Sequence, residues 1–227
     1  DLHLLSRRQR QMCIRDREIN MSDREHVRGM KKQTDNKFLN MYELNAVDRN
    51  GREHPYYFAT RRKDGDLMCQ TGELKADGTV IYAVLKDDPE KIVLVRQYRY
   101  PINKYIYELP AGLIDEGETS EQTAIREMKE ETGLTFEPFT DYDDCLKRPF
   151  TQNQGMSDEC DTAVFGFATG EPSNSGNEAS EDIEVVIADK AMVKKILKEE
   201  IVTIRGAYLL INLLHSDKND PFAFLEI

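Results

Sequence analysis

The spacing of apolar positions changes character along the chain. "TVIYAVLK" (79–86) and "KIVLVRQYR" (91–99) are short β-branched runs on either side of the polar "DDPE", and they predict two strands joined by a turn. Earlier, "KFLNMYELNAVDRNGREHPYYFATRR" predicts another strand pair, with Asn50-Gly51 as its hairpin dipeptide. Further strands are expected in "YIYELPAG", "CDTAVFGFA" (160–168) and "IEVVIAD" (183–189). Near the end, "KAMVKKILKEE" and "IRGAYLLINLLHS" repeat apolar residues at i, i+3 and i+4, which is the helical period. A third helix is marked by its ends: Thr119 with Gln122 gives a capping-box pattern, and Gly133 a left-handed stop. Between them Ala124, Ile125, Met128 and Thr132 form the apolar stripe, about a third of the circumference at ~100° per residue. Strand-rich early and helix-rich at the end, the chain is expected to be α/β, a mixed β-sheet sandwiched between helices. A small antiparallel β lobe is expected at residues 21–75, the main domain at 76–216 and a C-terminal tail at 217–227.

Composition sharpens this picture in a few places. With 227 residues, 39% of them apolar, there is material for one well-buried domain and a small accessory piece. No apolar run approaches the ~18 residues of a membrane span, so the expectation is a soluble protein without a membrane partner. A net charge of −11 argues against a nucleic-acid surface, which needs a basic stripe. An anionic small substrate stays open if metal ions and a few placed arginines invert the local field. Cys13, Cys69, Cys145 and Cys160 lie far apart, as suits reduced thiols in a cytoplasmic protein rather than a disulfide framework or zinc site. The arginine-rich "DLHLLSRRQRQMCIRDREIN" has no secretory apolar stretch and precedes a plausible start at Met21; residues 1–20 are read as a non-native or disordered leader.

The third helix poses a problem of charge. Glu127, Glu130 and Glu131 crowd its last turn, where each like-charged i, i+4 pair costs about 0.2–0.5 kcal/mol. Each carboxylate also meets the negative end of the helix dipole, at about 0.3–1 kcal/mol. Arg126 can reach Glu130 and offsets part of this. Two readings fit: a solvated acidic face, or an oxygen-ligand site for a hard cation such as Mg²⁺ or Mn²⁺. Since Mg²⁺ is usually held by one or two carboxylates and substrate phosphates, the second reading implies a phosphate-bearing ligand.

The stretch from Gly112 through Glu118, Arg126, Glu127, Met128, Glu130, Glu131 and Gly133 to Leu134 matches the Nudix box, G-x5-E-x7-R-E-U-x-E-E-x-G-U, at every fixed position. The chain therefore resembles Nudix hydrolases, whose fold is a mixed sheet between helices with a loop–helix–loop that holds divalent metals against a diphosphate. The resemblance implies Glu127 and Glu131 as principal metal ligands, Glu130 as a further ligand or water-activating group, and the Ala111 carbonyl as a completing donor. It makes Arg126 and Glu118 structural. The flanks "RQYRYPINKYIYELPAGLIDEGE", Pro149 and "QGMSDE" (154–159) resemble the ADP-ribose (ADP-sugar) pyrophosphatase branch, with Gln154 standing where that branch usually has proline.

That branch implies hydrolysis of ADP-ribose to AMP and ribose 5-phosphate. Alternatives are another nucleoside-diphosphate sugar (ADP-glucose, GDP-mannose or a UDP-sugar) or a non-catalytic ADP-ribose-binding module. A pyrophosphate needs forked donors, which Arg61 and Arg99 supply. With no Trp in the chain, a base must stack on tyrosine, and since neighbouring strand residues face opposite ways only one of Tyr56 and Tyr57 can line the pocket; the resemblance, which places an adenine-stacking aromatic a few residues before an arginine, implies Tyr56. Glu108, Leu113 and Asn153 complete the implied substrate contacts. The general base is expected to be Glu181, with Glu178 and Glu130 as alternatives. Family members commonly form homodimers in which the N-terminal lobe reaches the neighbour's pocket, so Tyr56 or Asn153 would then serve the partner's site.

Overall fold

The computed structural model describes residues 26–174 and 182–227. The leader and the acidic loop carrying Glu178 and Glu181 lie outside the described residues. Two compact units divide the chain after Thr71, the first also taking Gly155–Ser157.

The first unit is an antiparallel sheet of β1 (Val27–Lys32), β2 (Asn40–Val47) and β3 (Glu53–Thr60), with β2 central. Its β2–β3 hairpin turns at Asn50-Gly51: Gly51 takes φ +79°, and the Asp48 carboxylate accepts the N–H groups of Asn50 and Arg52. Alternation sends Tyr42, Leu44 and Phe58 to one face, where they bury with Leu67. The Ala59 N–H points away from β2, to the Met156 carbonyl at 2.8 Å. By the same period of two, Pro55 faces that outer edge, where it removes no bond to β2 and denies an added strand its donor.

The second unit is an eight-stranded mixed sheet. Its strands are β4 (Gly78–Leu85), β5 (Lys91–Arg99), β6 (Lys104–Glu108), β7 (Ala111–Leu113), β8 (Thr135–Pro138), β9 (Phe150–Thr151), β10 (Cys160–Thr169) and β11 (Ile183–Asp189). The main order is β11-β5-β4-β10-β8, with only the β4–β10 pairing parallel. Helices α1 (Ser120–Thr132), α2 (Lys190–Glu199) and α3 (Ile204–His215) cover its faces. Strand β4 shows how: Ile81 and Ala83 pack with Ala124 and Met128 of α1, whereas Val80, Tyr82 and Val84 pack with Val193 and Ile196 of α2 and Leu210 and Leu213 of α3. This is the expected mixed sheet between helices.

What positions the site is a wedge in that sheet. Strands β4 and β5 pair only at Val84 and Ile92. Into the gap come β6, paired along β5, and β7, paired along β4 from Gly78 to Val80. The run "YIYELPAG", expected as one short strand, is thus two strands on different neighbours, pinned between them by the Ile81 N–H on the Pro110 carbonyl at 2.8 Å. Residues 217–227, read as a tail, instead contribute Phe222 and Leu225 to the core, Phe222 stacking on Phe139 at 4.8 Å.

Candidate active site

Helix α1 begins and ends as its sequence predicts. Thr119 and Gln122 form a reciprocal capping box, and Gly133 closes the helix at φ +72° with its N–H on the Lys129 carbonyl. The buried side of the helix differs from the expected stripe. It consists of Thr123, Ala124, Met128, Glu131 and Thr132, while Ile125 is 44% exposed. The buried arc is rotated toward the glutamates, so Glu131 lies within it at 6% exposure instead of beside it.

One arginine organises the acids around this helix. All five N–H donors of Arg126 are engaged. Two form a fork onto Glu118, Nε to Oε1 and Nη2 to Oε2, both at 3.0 Å. Nη1 donates to Glu127 Oε1 at 2.7 Å and to Glu130 Oε2 at 3.0 Å. Nη2 also reaches the Leu113 carbonyl at 3.0 Å, tying β7 to the helix. Glu118 Oε2 additionally accepts from the Thr123 hydroxyl at 2.8 Å and from the Asp115 N–H at 3.4 Å. The Arg126 guanidinium first, then the Thr123 hydroxyl, hold the Glu118 carboxyl down to a pKa of about 2. The carboxylates in turn push the Arg126 pKa further up.

The floor of this arrangement is Gly112. A Cβ there would stand 1.9 Å from the carboxyl carbon and Oε1 of Glu127, so the Glu127 carboxylate lies directly against the β7 backbone beside Ala111. Fold and helix therefore gather Ala111, Gly112, Leu113, Glu118, Arg126, Glu127 and Glu130 around one loop–helix junction, with Glu131 on the buried side of the same helix. Among the described residues, no three His, Cys, Asp or Glu side chains are grouped so as to hold a metal ion by themselves. The donor chemistry nevertheless fits a hard divalent cation. The available ligands are carboxylate and carbonyl oxygens, and Gly112 leaves Glu127 the space to approach the backbone.

A second charged pair stands at the end of β5. The turn Tyr100–Ile102, with Asn103 left-handed at φ 54°, folds β6 back along β5. This brings Arg99 Nε to 2.6 Å from Glu108 Oε2. Glu108 is buried while Arg99 remains 43% exposed, so one donor nitrogen is committed and the fork still meets solvent. Leu113 is exposed at the end of β7. Asn153 is also exposed in this unit, and Tyr56 and Arg61 belong to the first unit. Tyr56 shares the face of Leu44 and Phe58 and donates its hydroxyl to the Gly155 carbonyl at 2.7 Å; Tyr57 points to the opposite face. Glu181 lies outside the described residues. Thr123, absent from the sequence expectation, occupies a position the box motif leaves unspecified, and only its contact with Glu118 marks it out.

The NUDIX domain profile matches residues 75–201, more than half of the chain. Over 126 residues the chain is 39% identical to putative nudix hydrolase 2 of Caenorhabditis elegans, covering 52% of this chain and 54% of that protein. It is 36% identical over 114 residues to an ADP-ribose pyrophosphatase of Saccharomyces cerevisiae, 48% of this chain and 46% of the other. An ADP-ribose pyrophosphatase of Bacillus subtilis is 32% identical over 144 residues, 60% of this chain and 72% of that one. The chain thus spans about half the length of the first two of these relatives. The crystal structure of an ADP compounds hydrolase matches with a TM-score of 0.61 at 16% identity, over 83% of this chain and 91% of that one, a likeness of fold. With the profile covering the sheet, the box loop and α1 together, the chain belongs to the Nudix family, among relatives that bear the name ADP-ribose pyrophosphatase.

Proposed function

We propose that this protein hydrolyses the diphosphate bond of a nucleoside-diphosphate sugar, ADP-ribose foremost, giving AMP and ribose 5-phosphate. The observation that carries this reading is the box geometry: Arg126 holding Glu127 and Glu130 on one side of a glycine-floored junction. The names of the yeast and Bacillus relatives support the substrate class. Glu127, Glu131 and Glu130, with the Ala111 carbonyl, would hold a divalent cation, Mg²⁺ or Mn²⁺. When bound, such an ion polarises phosphoryl oxygens and lowers the pKa of a bound water.

The remaining roles fall to the chain's own groups. Arg99 supplies charged donors to the pyrophosphate, its orientation set by Glu108, and Arg61 adds a second fork. Tyr56 offers the aromatic face for the base, and Leu113 and Asn153 line the sugar and phosphate path. Glu181 takes the proton from the attacking water, a service worth roughly 10²–10⁴-fold; Glu178 and Glu130 are its competitors. We place the protein in the cytoplasm as a homodimer. Among the described residues Cys69, Cys145 and Cys160 form no disulfide, and no helix is long and apolar enough to cross a membrane.

The test is turnover of ADP-ribose, ADP-glucose, GDP-mannose, UDP-glucose and NADH with Mg²⁺, with products separated chromatographically. AMP from ADP-ribose, abolished in Glu127→Gln, is the expected result. Binding of ADP-ribose without cleavage would make the chain a sensor, and unchanged turnover in Glu127→Gln would remove the ligand assignment. Loss of kcat confined to Glu178→Gln, with Glu181→Gln unaffected, would move the base.

A further inference from the structure

We propose that Thr123 is a positioning residue for this reaction: its hydroxyl fixes Glu118, and through Glu118 the Arg126 guanidinium that aligns Glu127 and Glu130. The inference rests on the proposed function, and it starts from an anomaly of side-chain choice. Thr123 is fully buried in the first turns of α1. Alanine is the better helix former there, since a β-branched side chain loses rotamer freedom in a helix and a buried hydroxyl needs a partner. A helical threonine ordinarily returns its hydroxyl to the carbonyl four residues back. Here the Thr119 carbonyl takes the Thr123 backbone N–H at 3.0 Å, and the hydroxyl goes to Glu118 Oε2 at 2.8 Å.

The consequence is geometric. The terminal torsion of a glutamate is broad, so a carboxylate held only by an arginine fork can rock with it. Besides the fork and a long 3.4 Å bond from the Asp115 N–H, Glu118 has a short anchor on Oε2 from a side chain that is itself immobilised by burial. With the Glu118 carboxylate plane fixed, the two bonds from Nε and Nη2 fix the guanidinium plane, and Nη1 is left aimed at Glu127 and Glu130. Thr123 touches none of the groups assigned to cation or substrate, so it acts only through this chain of contacts.

Thr123→Val keeps the shape and removes the hydroxyl; Thr123→Ser restores the hydroxyl on a smaller side chain. Three readouts separate positioning from packing: the ¹⁵N signal and exchange rate of Arg126 Nε–H (assigned by its loss in Arg126→Lys), Mn²⁺ binding by electron paramagnetic resonance without nucleotide, and kcat and KM for ADP-ribose. In Thr123→Val we expect Nε–H exchange to quicken about tenfold or more, Mn²⁺ binding to weaken, and kcat to fall roughly ten- to a hundredfold. That is the size of one charge-assisted hydrogen bond. KM should stay within about twofold, because no substrate contact is lost. Thr123→Ser should recover most of each loss. If Thr123→Val merely melts earlier, with Nε–H exchange, Mn²⁺ binding and kcat all unchanged, or if Thr123→Ser rescues nothing, the inference is wrong. Should the valine variant fail to fold, Thr123→Ala, which favours the helix, carries the same readouts. If the wild-type protein cleaves no nucleotide sugar, the proposed function fails, while Nε–H exchange still decides the role of Thr123.

Discussion

Replacing Gly112 with alanine should separate folding from catalysis, because the clash it creates is with the Glu127 side chain, from Cγ outward, rather than with backbone. The new Cβ would sit 1.9 Å from the Glu127 carboxyl carbon and Oε1. Ordinary contact begins near 3.4 Å, so the carboxylate must retreat by about 1.5 Å, beyond the ~1 Å misplacement that can cost 10²-fold in rate. The Arg126 Nη1 bond to Glu127 at 2.7 Å is lost, whereas the bonds to Glu118, Glu130 and Leu113 can remain. Gly112 lies in β7 with no positive φ, so alanine meets no backbone penalty and reduces unfolded-state entropy by about 0.4–1 kcal/mol. Against that stands one partly buried charged hydrogen bond, about 1.5–3 kcal/mol. The net is a destabilisation of roughly 1–2 kcal/mol, or about 2–8 °C in melting temperature for a chain of this size. Turnover of ADP-ribose, with AMP quantified by chromatography, should fall about 100-fold or more, close to the level of Glu127→Gln. Full activity in a folded Gly112→Ala protein would show that the seat of Glu127 against the backbone does not matter. A loss of more than about 4 kcal/mol would show that the glycine is needed by the fold instead.

Three other expectations concern protonation and burial. Glu118, depressed from 4.5 to about 2, contributes stability that is present above pH 4.5 and lost as pH falls toward 2; an acid titration of Glu118→Gln should lack that component of the decline. Asp161 behaves oppositely: burial, only partly opposed by Arg205 at 2.6 Å, raises its pKa from 3.8 to about 6. Its share of stability is full below 3.8 and declines as pH rises through 6, so urea melts should show that descent in the wild type and not in Asp161→Asn. Finally, the Tyr82 ring packs against Phe165, Phe222 and Phe224, and its hydroxyl is buried without a hydrogen-bond partner among the described residues. Tyr82→Phe should raise the melting temperature by about 2–4 °C, a gain of roughly 1 kcal/mol; a marked drop would mean the hydroxyl is satisfied.

The parts of this architecture that were legible in the sequence are those with local causes. The caps of α1 follow from Thr119, Gln122 and Gly133 alone, and the first hairpin from Asn50-Gly51. Strand β1 carries no alternating signal, because only Val27 and Met30 of its six residues pack inward. The return of Gly155–Ser157 to β3 was invisible because it joins positions about a hundred residues apart. The rotation of helix α1 is not legible in the sequence for a physical reason: Thr123 and Glu131 count as polar in any hydropathy pattern, which centres the expected arc too near Ile125. The box spacing located Glu118, Arg126 and the three glutamates. It could not say that a guanidinium would reach all but Glu131 of those carboxylates, since that depends on side-chain direction across a loop.

That guanidinium also limits how mutational data around it can be interpreted. A cation beside a reaction centre is commonly assumed to grip the incoming anion, and a survey ranking arginines by proximity would place Arg126 first. Yet none of its hydrogens is left to offer. Arg126 is a bolt, not a hand, and damage to it should register as a slower machine rather than a looser grip.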